Sequence, residues 1–256
     1  EVVQSFTDVR IKYHRSPVSL SMTDNWELGL AQTTGQYVFI LGDDDALMPD
    51  ALEIAAQMID SYSLPIISWL RHFYAWDSSI VPWLRNHLGV NLLQIGEIRH
   101  TRRFLKKFYY RNIGHEELPM IYNSFVSRDL IEKVKSIHGR YFYSHCPDLF
   151  SGIVNAYFSE QYLYSYRALS ITGTSGHSTG AAGLYPSLTS TDTAAKTIDV
   201  YKDIAKDYHL SILPERPIPI PIIPENVVAD VKLSAKELFF PTDKNMAIDM
   251  HYYLQS

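Results

Sequence analysis

Cysteine is nearly absent from this chain: Cys146 stands alone among 256 residues. One thiol cannot form an internal disulfide, and a reducing compartment is the simplest reading. Long apolar runs are missing as well. No uninterrupted stretch approaches the roughly 20 residues a membrane-spanning helix needs. Glu1 to Arg10 has no apolar core of signal-peptide length either. The chain is therefore expected to be soluble and cytoplasmic. Excess positive charge is lacking too, and a formal charge of -5 argues against a general nucleic-acid binder. There is no internal repeat, and no glycine-rich, Lys- or Arg-bearing N-terminal loop of the kind nucleotidyltransferases usually show. What is present is ordinary globular composition, with enough length to bury a sizeable core. The 18 tyrosines suit surfaces that grip polar ligands and equally suit plain packing.

The order of patterns points to an α/β sheet. "VRIKYHR" (9 to 15) alternates like a short strand. "SMTDNWELGLAQTTGQY" carries a helix, with Asp24 as its expected N-cap, Glu27 at capping-box spacing and Gly35 as a stop. "YVFIL" (37 to 41) reads as a strand buried on both faces, and Pro49 and Asp50 open a helix with Leu52, Ala55, Ala56 and Ile59 on one face. "PIISWL" (65 to 70) is the next strand. Close alternation of strand and helix predicts a mostly parallel sheet flanked by helices. Further helices are expected over 101 to 113, 127 to 139, 147 to 160 and 192 to 208, and "ALSITGTSGHSTGAAG" passes from a strand into a flexible loop. Five prolines between Pro214 and Pro224 predict an extended linker, followed by one or two short helices split by Pro241.

Three successive aspartates, Asp43, Asp44 and Asp45, follow the "YVFIL" strand. Adjacent carboxylates repel, and a turn needs at most one. In open α/β sheets ligands bind beyond the carboxyl ends of strands, and Gly42 lets the backbone approach a ligand closely. Hard oxygen donors on a short turn suit Mg²⁺ or Mn²⁺ held by one or two carboxylates plus substrate phosphates. An over-acidic helix start is the plainer alternative.

"DNWELGLAQTTGQYVFILGDDDALMPDAL" resembles the middle of family 2 glycosyltransferases of the GT-A fold: an Asn-led helix, a Gly-x-Tyr before a strand, an acidic DxD-type turn and a Pro-started helix. "LPMIYNSFVSRDLIE" and "PDLFSGIVNAYF" look like the acceptor-side half of bacterial polysaccharide members, so the resemblance spans roughly residues 5 to 185. It implies a GT-A-type, Rossmann-like fold and a Mn²⁺ or Mg²⁺ cofactor. A nucleotide-sugar donor and a saccharide or lipid-diphosphate acceptor would be the substrates. Gly42 stands where the commoner form has its first Asp, so Asp44 is the expected metal ligand, with Asp43 and Asp45 sharing the binding of cofactor and diphosphate. The family's first strand and its base-gripping Asp-Asp-x-Ser segment would precede residue 1, so the chain is expected to lack that nucleotide-binding segment. The implied organisation is a glycosyltransferase domain over 1–210, a Pro-rich linker over 211–226 and a helical C-terminal extension over 227–256.

The resemblance also makes Asp148 the catalytic base, removing a proton from the attacking acceptor hydroxyl in an inverting displacement. The same residue would serve as a helix N-terminal carboxylate, worth about 0.3 to 1 kcal/mol. His177, in the loop "GTSGHSTG" with Ser175, is a candidate to complete the metal shell, and Gly173, Gly176, Gly180 and Gly183 would let that loop act as a lid. A solvated loop histidine is the ordinary alternative. Asn123 is a candidate acceptor contact or a turn residue. "RHTRRFLKKFYYR" (99 to 111) suits peripheral contact with an anionic membrane face, or simply a solvated face backed by aromatic packing. Trp69, Trp76 and Trp83 would stack on sugars or anchor loops. A rival reading is a non-catalytic saccharide-binding or assembly module on the same fold; on either reading the C-terminal tail is expected to pass to a further domain or oligomer partner.

Overall fold

In chain order the elements are α1 (Met22–Ala31), β1 (Tyr37–Val38), β2 (Ala46–Leu47), α2 (Ala51–Tyr62), β3 (Ile66–Trp69), β4 (His72–Ala75), β5 (Leu88–Gly89) and β6 (Gly96–His100). There follow α3 (Thr101–Tyr109), β7 (Ser124–Ser127), α4 (Arg128–His138), α5 (Pro147–Phe158), β8 (Gln161–Ser165), β9 (Ser170–Thr174) and α6 (Pro224–Phe239). The structure is a computed structural model that describes residues 3–110, 113–176, 178 and 224–248. The helix expected over 192 to 208, nearly all of the Pro-rich linker, Arg111 and His177 lie outside the described residues.

Two mixed sheets result, one ordered β1-β7-β3-β8-β6 and the other β2-β9-β4-β5. The expected mostly parallel pairing is corrected. Only β3 with β8 and β4 with β9 run parallel; the other ladders are antiparallel. Two of these involve β7, which inserts between β1 and β3 and runs against both. Alternation along the chain did not reveal that insertion. The architecture remains α/β and is consistent with a GT-A arrangement.

Residues 9 to 15 do not form a strand, and Val9 is almost fully exposed. Alternation alone does not make one, because a strand needs a ladder partner for its N–H and C=O groups. The "YVFIL" run is paired only at Tyr37 and Val38; Ile40 instead donates its N–H to the Ile121 carbonyl at 3.1 Å. By contrast "IISW" is buried throughout, as its place in the middle of the sheet demands. Ser21, not Asp24, caps α1: its hydroxyl accepts from the Asp24 N–H at 3.1 Å. Glu27 is drawn away from capping by the tertiary structure and accepts from the Tyr141 and Phe142 N–H groups at 3.2 and 3.1 Å. Gly139 closes α4 at φ +84°, the left-handed geometry that favours glycine.

The two faces of the sheet have separate cores. Ile66 faces a large cluster with Leu105, Ile131, Phe150 and Ile153, covered by α3, α4 and α5. Ile67 and Trp69 face a smaller one with Ala51, Ala55, Phe125, Leu163 and Leu169, beneath α2. The C-terminal helix is part of the larger core. Val231 and Ala235 are buried there, and Asp230 lies 3.2 Å from His145. The buried Lys232 ammonium donates to the Phe108 carbonyl at 2.8 Å. This is one helix from Pro224 to Phe239, ending before Pro241. No helix among the described residues is long and apolar enough to cross a membrane.

In the basic stretch, α3 buries Leu105, Phe108 and Tyr109 and turns Arg103 and Lys106 outward. Arg99 is only 4% exposed and pairs with Glu97 and Glu117, both at 2.6 Å. Arg102 stacks over Tyr157 and pairs with Asp243. Two of the stretch's cations therefore have internal partners.

Candidate functional site

The acidic turn leaves the β1 segment through Phe39 to Leu41 and closes when the Asp45 N–H donates to the Gly42 carbonyl at 3.3 Å. Asp45 spends its carboxylate on holding this turn. Oδ2 accepts from the Gly42 N–H at 3.3 Å, and Oδ1 accepts from the Gly173 N–H on β9 at 2.8 Å. The Tyr122 hydroxyl is near Asp45, and burial, reinforced by that carboxylate, pushes the phenol up to about 12. Tyr122 therefore stays a neutral donor across the physiological range.

Asp44 is half-buried and held on one side only. Its Oδ2 accepts from the Ser178 hydroxyl at 2.5 Å and from the Ser175 N–H at 3.3 Å. The Trp76 indole N–H donates to the Asp44 carbonyl at 3.2 Å. Asp44 Oδ1 has no hydrogen bond among the described residues, and Asp43 is exposed. No Lys, Arg or His forms an ion pair with any of the three aspartates among the described residues.

Gly173 was expected to supply lid mobility. It lies in β9, where a Cβ would sit 1.8 Å from the Asp44 carbonyl oxygen and 2.8 Å from the Trp76 indole nitrogen. The glycine permits strand and acidic turn to touch. Gly176 likewise approaches Ser78. Gly180, Gly183 and His177 lie outside the described residues.

Asp148 stands in the first turn of α5, directly after Pro147. It is half-buried, and the Cys146 thiol donates to its Oδ1 at 3.1 Å. Burial, and then the Asp148 charge, push that thiol well above its ordinary range, so Cys146 serves as a donor. Ile121 ties this helix to the acidic turn. Its N–H donates to Ser151 Oγ at 3.0 Å, one turn into α5, and its carbonyl accepts from Ile40 just before the turn. Segment 120–123 thus spans the space between the aspartates and Asp148. Asn123 is 3% exposed; its carbonyl accepts from the Trp69 N–H, and its Oδ1 has no hydrogen-bond partner.

Hydrogen bonding and charge decide whether a divalent cation fits. Among the described residues no three His, Cys, Asp or Glu side chains are gathered to hold a metal ion. The turn instead offers Asp44 Oδ1 and the exposed Asp43, hard oxygens with no ion-pair partner among the described residues. Mg²⁺ and Mn²⁺ suit such sites, where one or two carboxylates act and substrate phosphates and water fill the remaining positions. Asp45, with both oxygens occupied, fits a supporting place better than a ligating one.

Tyr122 and Arg71 were not singled out from the sequence. Tyr122, Trp76 and Gly173 come together only through contacts far apart in the chain. Arg71, on the β3–β4 connection, places its guanidinium 4.4 Å from the Tyr122 ring centroid. Trp69 is core, whereas Trp76 is 43% and Trp83 61% exposed.

The sequence matches the family described as Glycosyl transferase family 2 across residues 1–134, a little over half of the chain. That span contains the acidic turn, Arg71, Tyr122 and Asn123, and ends before Asp148. No curated protein matches the chain. A family match of this extent, which includes the acidic turn, places the chain in glycosyl transferase family 2.

Proposed function

We propose that this member of the family is a metal-dependent, inverting glycosyltransferase. Family membership implies sugar transfer from a nucleotide-sugar to an acceptor. The finer reading is transfer from a nucleotide-diphosphate donor to a saccharide or lipid-linked acceptor, in cell-surface polysaccharide synthesis at the cytoplasmic face of the membrane. Asp44 carries the proposal: a carboxylate with one oxygen fixed and the other unbonded, on a turn with no paired cation.

Asp44, with Asp43 in reach, would hold Mn²⁺ or Mg²⁺. Asp45 and Tyr122 keep the turn in place. When bound, the cation would offset charge on the departing diphosphate. Asp148 accepts the proton of the acceptor hydroxyl as that oxygen bonds to the anomeric carbon. The bond from that carbon to the donor phosphate breaks, and the electron pair leaves with the nucleoside diphosphate. One displacement inverts the anomeric configuration. Trp76, exposed beside the turn, is a candidate surface for a sugar ring.

A nucleotide-sugar panel, with and without chelator, tests this reading. Transfer from at least one donor should stop on chelation and return with Mn²⁺ or Mg²⁺, and the product's anomeric proton coupling in NMR should report inversion. Retained configuration, or transfer indifferent to chelator, would overturn it.

A further inference from the structure

Arg71 carries a permanent charge that has no ion-pair partner among the described residues. It joins β3 to β4 at the edge of the candidate site, and its guanidinium lies over the Tyr122 ring at 4.4 Å. The hydroxyl of that ring is near Asp45, whose charge helps hold the phenol neutral. One aromatic ring therefore lies between the guanidinium and Asp45, yet Arg71 forms no ion pair among the described residues. Its Nη1 is buried from solvent without a hydrogen-bond partner. A guanidinium cannot shed its proton to escape this situation. A charged donor kept from both water and acceptors is costly unless an acceptor arrives with a ligand.

Two features narrow the kind of ligand. The cation–π contact holds the guanidinium against the Tyr122 face, and an Arg fork so held can grip a phosphate through two parallel hydrogen bonds. The neighbouring aspartates would repel a bare carboxylate or phosphate. A diphosphate accompanied by a cation on Asp44 would instead bring its negative oxygens between that cation and Arg71.

We propose that Arg71 is a phosphate-binding residue of this site, held ready by the face of Tyr122 and completing the charge balance of a bound diphosphate. The assignment rests on the proposed function and names a protein group which that reading does not require. Phosphate oxygens reach such a site from two sources, the donor's diphosphate or the diphosphate of a lipid-linked acceptor.

The test measures binding to the whole chain by calorimetry, in wild type, Arg71→Gln and Arg71→Lys, with thermal melts to establish that each variant is folded. The probes are Mn²⁺ alone and, in the presence of Mn²⁺, inorganic pyrophosphate, a set of nucleoside 5′-diphosphates, and farnesyl diphosphate. Arg71→Gln should leave Mn²⁺ affinity equal or slightly higher and weaken pyrophosphate by about 10- to 100-fold, the range of a charge-assisted hydrogen bond. Arg71→Lys should recover part of that loss, as a point charge without the fork. Weakening of the nucleoside diphosphates assigns Arg71 to the donor, and weakening of farnesyl diphosphate alone assigns it to the acceptor. Unchanged binding of every phosphate in folded Arg71→Gln, beside a wild type that binds them, overturns the assignment and leaves the function standing. A wild type that binds none of the phosphates overturns both.

Discussion

Asp148→Asn is expected to lower turnover by about 10²- to 10⁴-fold, the usual contribution of a general base, while donor affinity stays within about threefold of wild type. The substitution keeps the size of the side chain and an oxygen that still accepts from the Cys146 thiol. It removes the charge and, with it, the capacity to take the acceptor's proton. A structural part for Asp148 at the start of α5 predicts something different. Loss of its charge there would cost about 0.3 to 1 kcal/mol of stability and leave turnover nearly intact. Turnover, donor KM and a thermal melt on one preparation separate the two. A variant with a normal melt, normal donor KM and a collapsed kcat supports the base. A variant working at near-wild-type rate removes Asp148 from the chemistry and moves the search to other groups around segment 120–123.

Trp69→Ala should cost about 3 to 5 kcal/mol, the range for deleting a buried large aromatic. Trp69 is fully buried on the central strand, and its indole N–H donates to Ser170 Oγ at 2.8 Å. Its ring lies tilted against Phe39 and Phe125, with centroids 5.2 and 5.1 Å away. Phe39 is four residues before Asp43, and Ser170 begins the strand whose Gly173 receives Asp45. Truncation therefore leaves a cavity and an unpaired hydroxyl, and it loosens both walls of the acidic turn. For a chain of this size the melting temperature should fall by about 6 to 20 °C. Diphosphate binding should weaken even below the melt. A denaturant midpoint shifted by less than about 1 kcal/mol would show that the small core does not support the site.

The acidic turn was legible because its signal is local: a buried run, a glycine, three carboxylates and a Pro-started helix within a dozen residues. Helices α2, α4 and α5 were legible for the same reason, down to Gly139 as the stop of α4. Strand polarity was not. β7 enters the sheet between β1 and β3 from some 60 to 90 residues downstream, and no periodicity in either neighbour announces that. Ser21 rather than Asp24 caps α1, and Glu27 serves the turn at 141–142 through contacts 114 and 115 residues apart that local spacing does not show. Gly173 read as loop flexibility because the 1.8 Å approach that requires it involves Asp44, 129 residues earlier. Arg71 and Tyr122 belong to separate segments until the sheet forms, so their pairing left no trace in the sequence. The C-terminal helix read as an appendage because nothing in its composition reveals that Val231 and Ala235 meet the core formed by α3 and α5.

The central claim is that "GDDD" is a cation-assisted diphosphate site and not merely an acidic turn. It is tested most directly by Mn²⁺-dependent binding of nucleoside diphosphates to wild type, Asp44→Asn and Asp45→Asn. Wild type should bind at least one nucleoside diphosphate only when Mn²⁺ is present. Asp44→Asn should lose that dependence, with a melting temperature close to wild type, because only one of its oxygens is committed to the fold. Asp45→Asn should lower the melting temperature as well, because both of its oxygens hold the turn. Equal Mn²⁺-dependent binding by wild type and Asp44→Asn, or wild-type binding indifferent to chelator, would contradict the account.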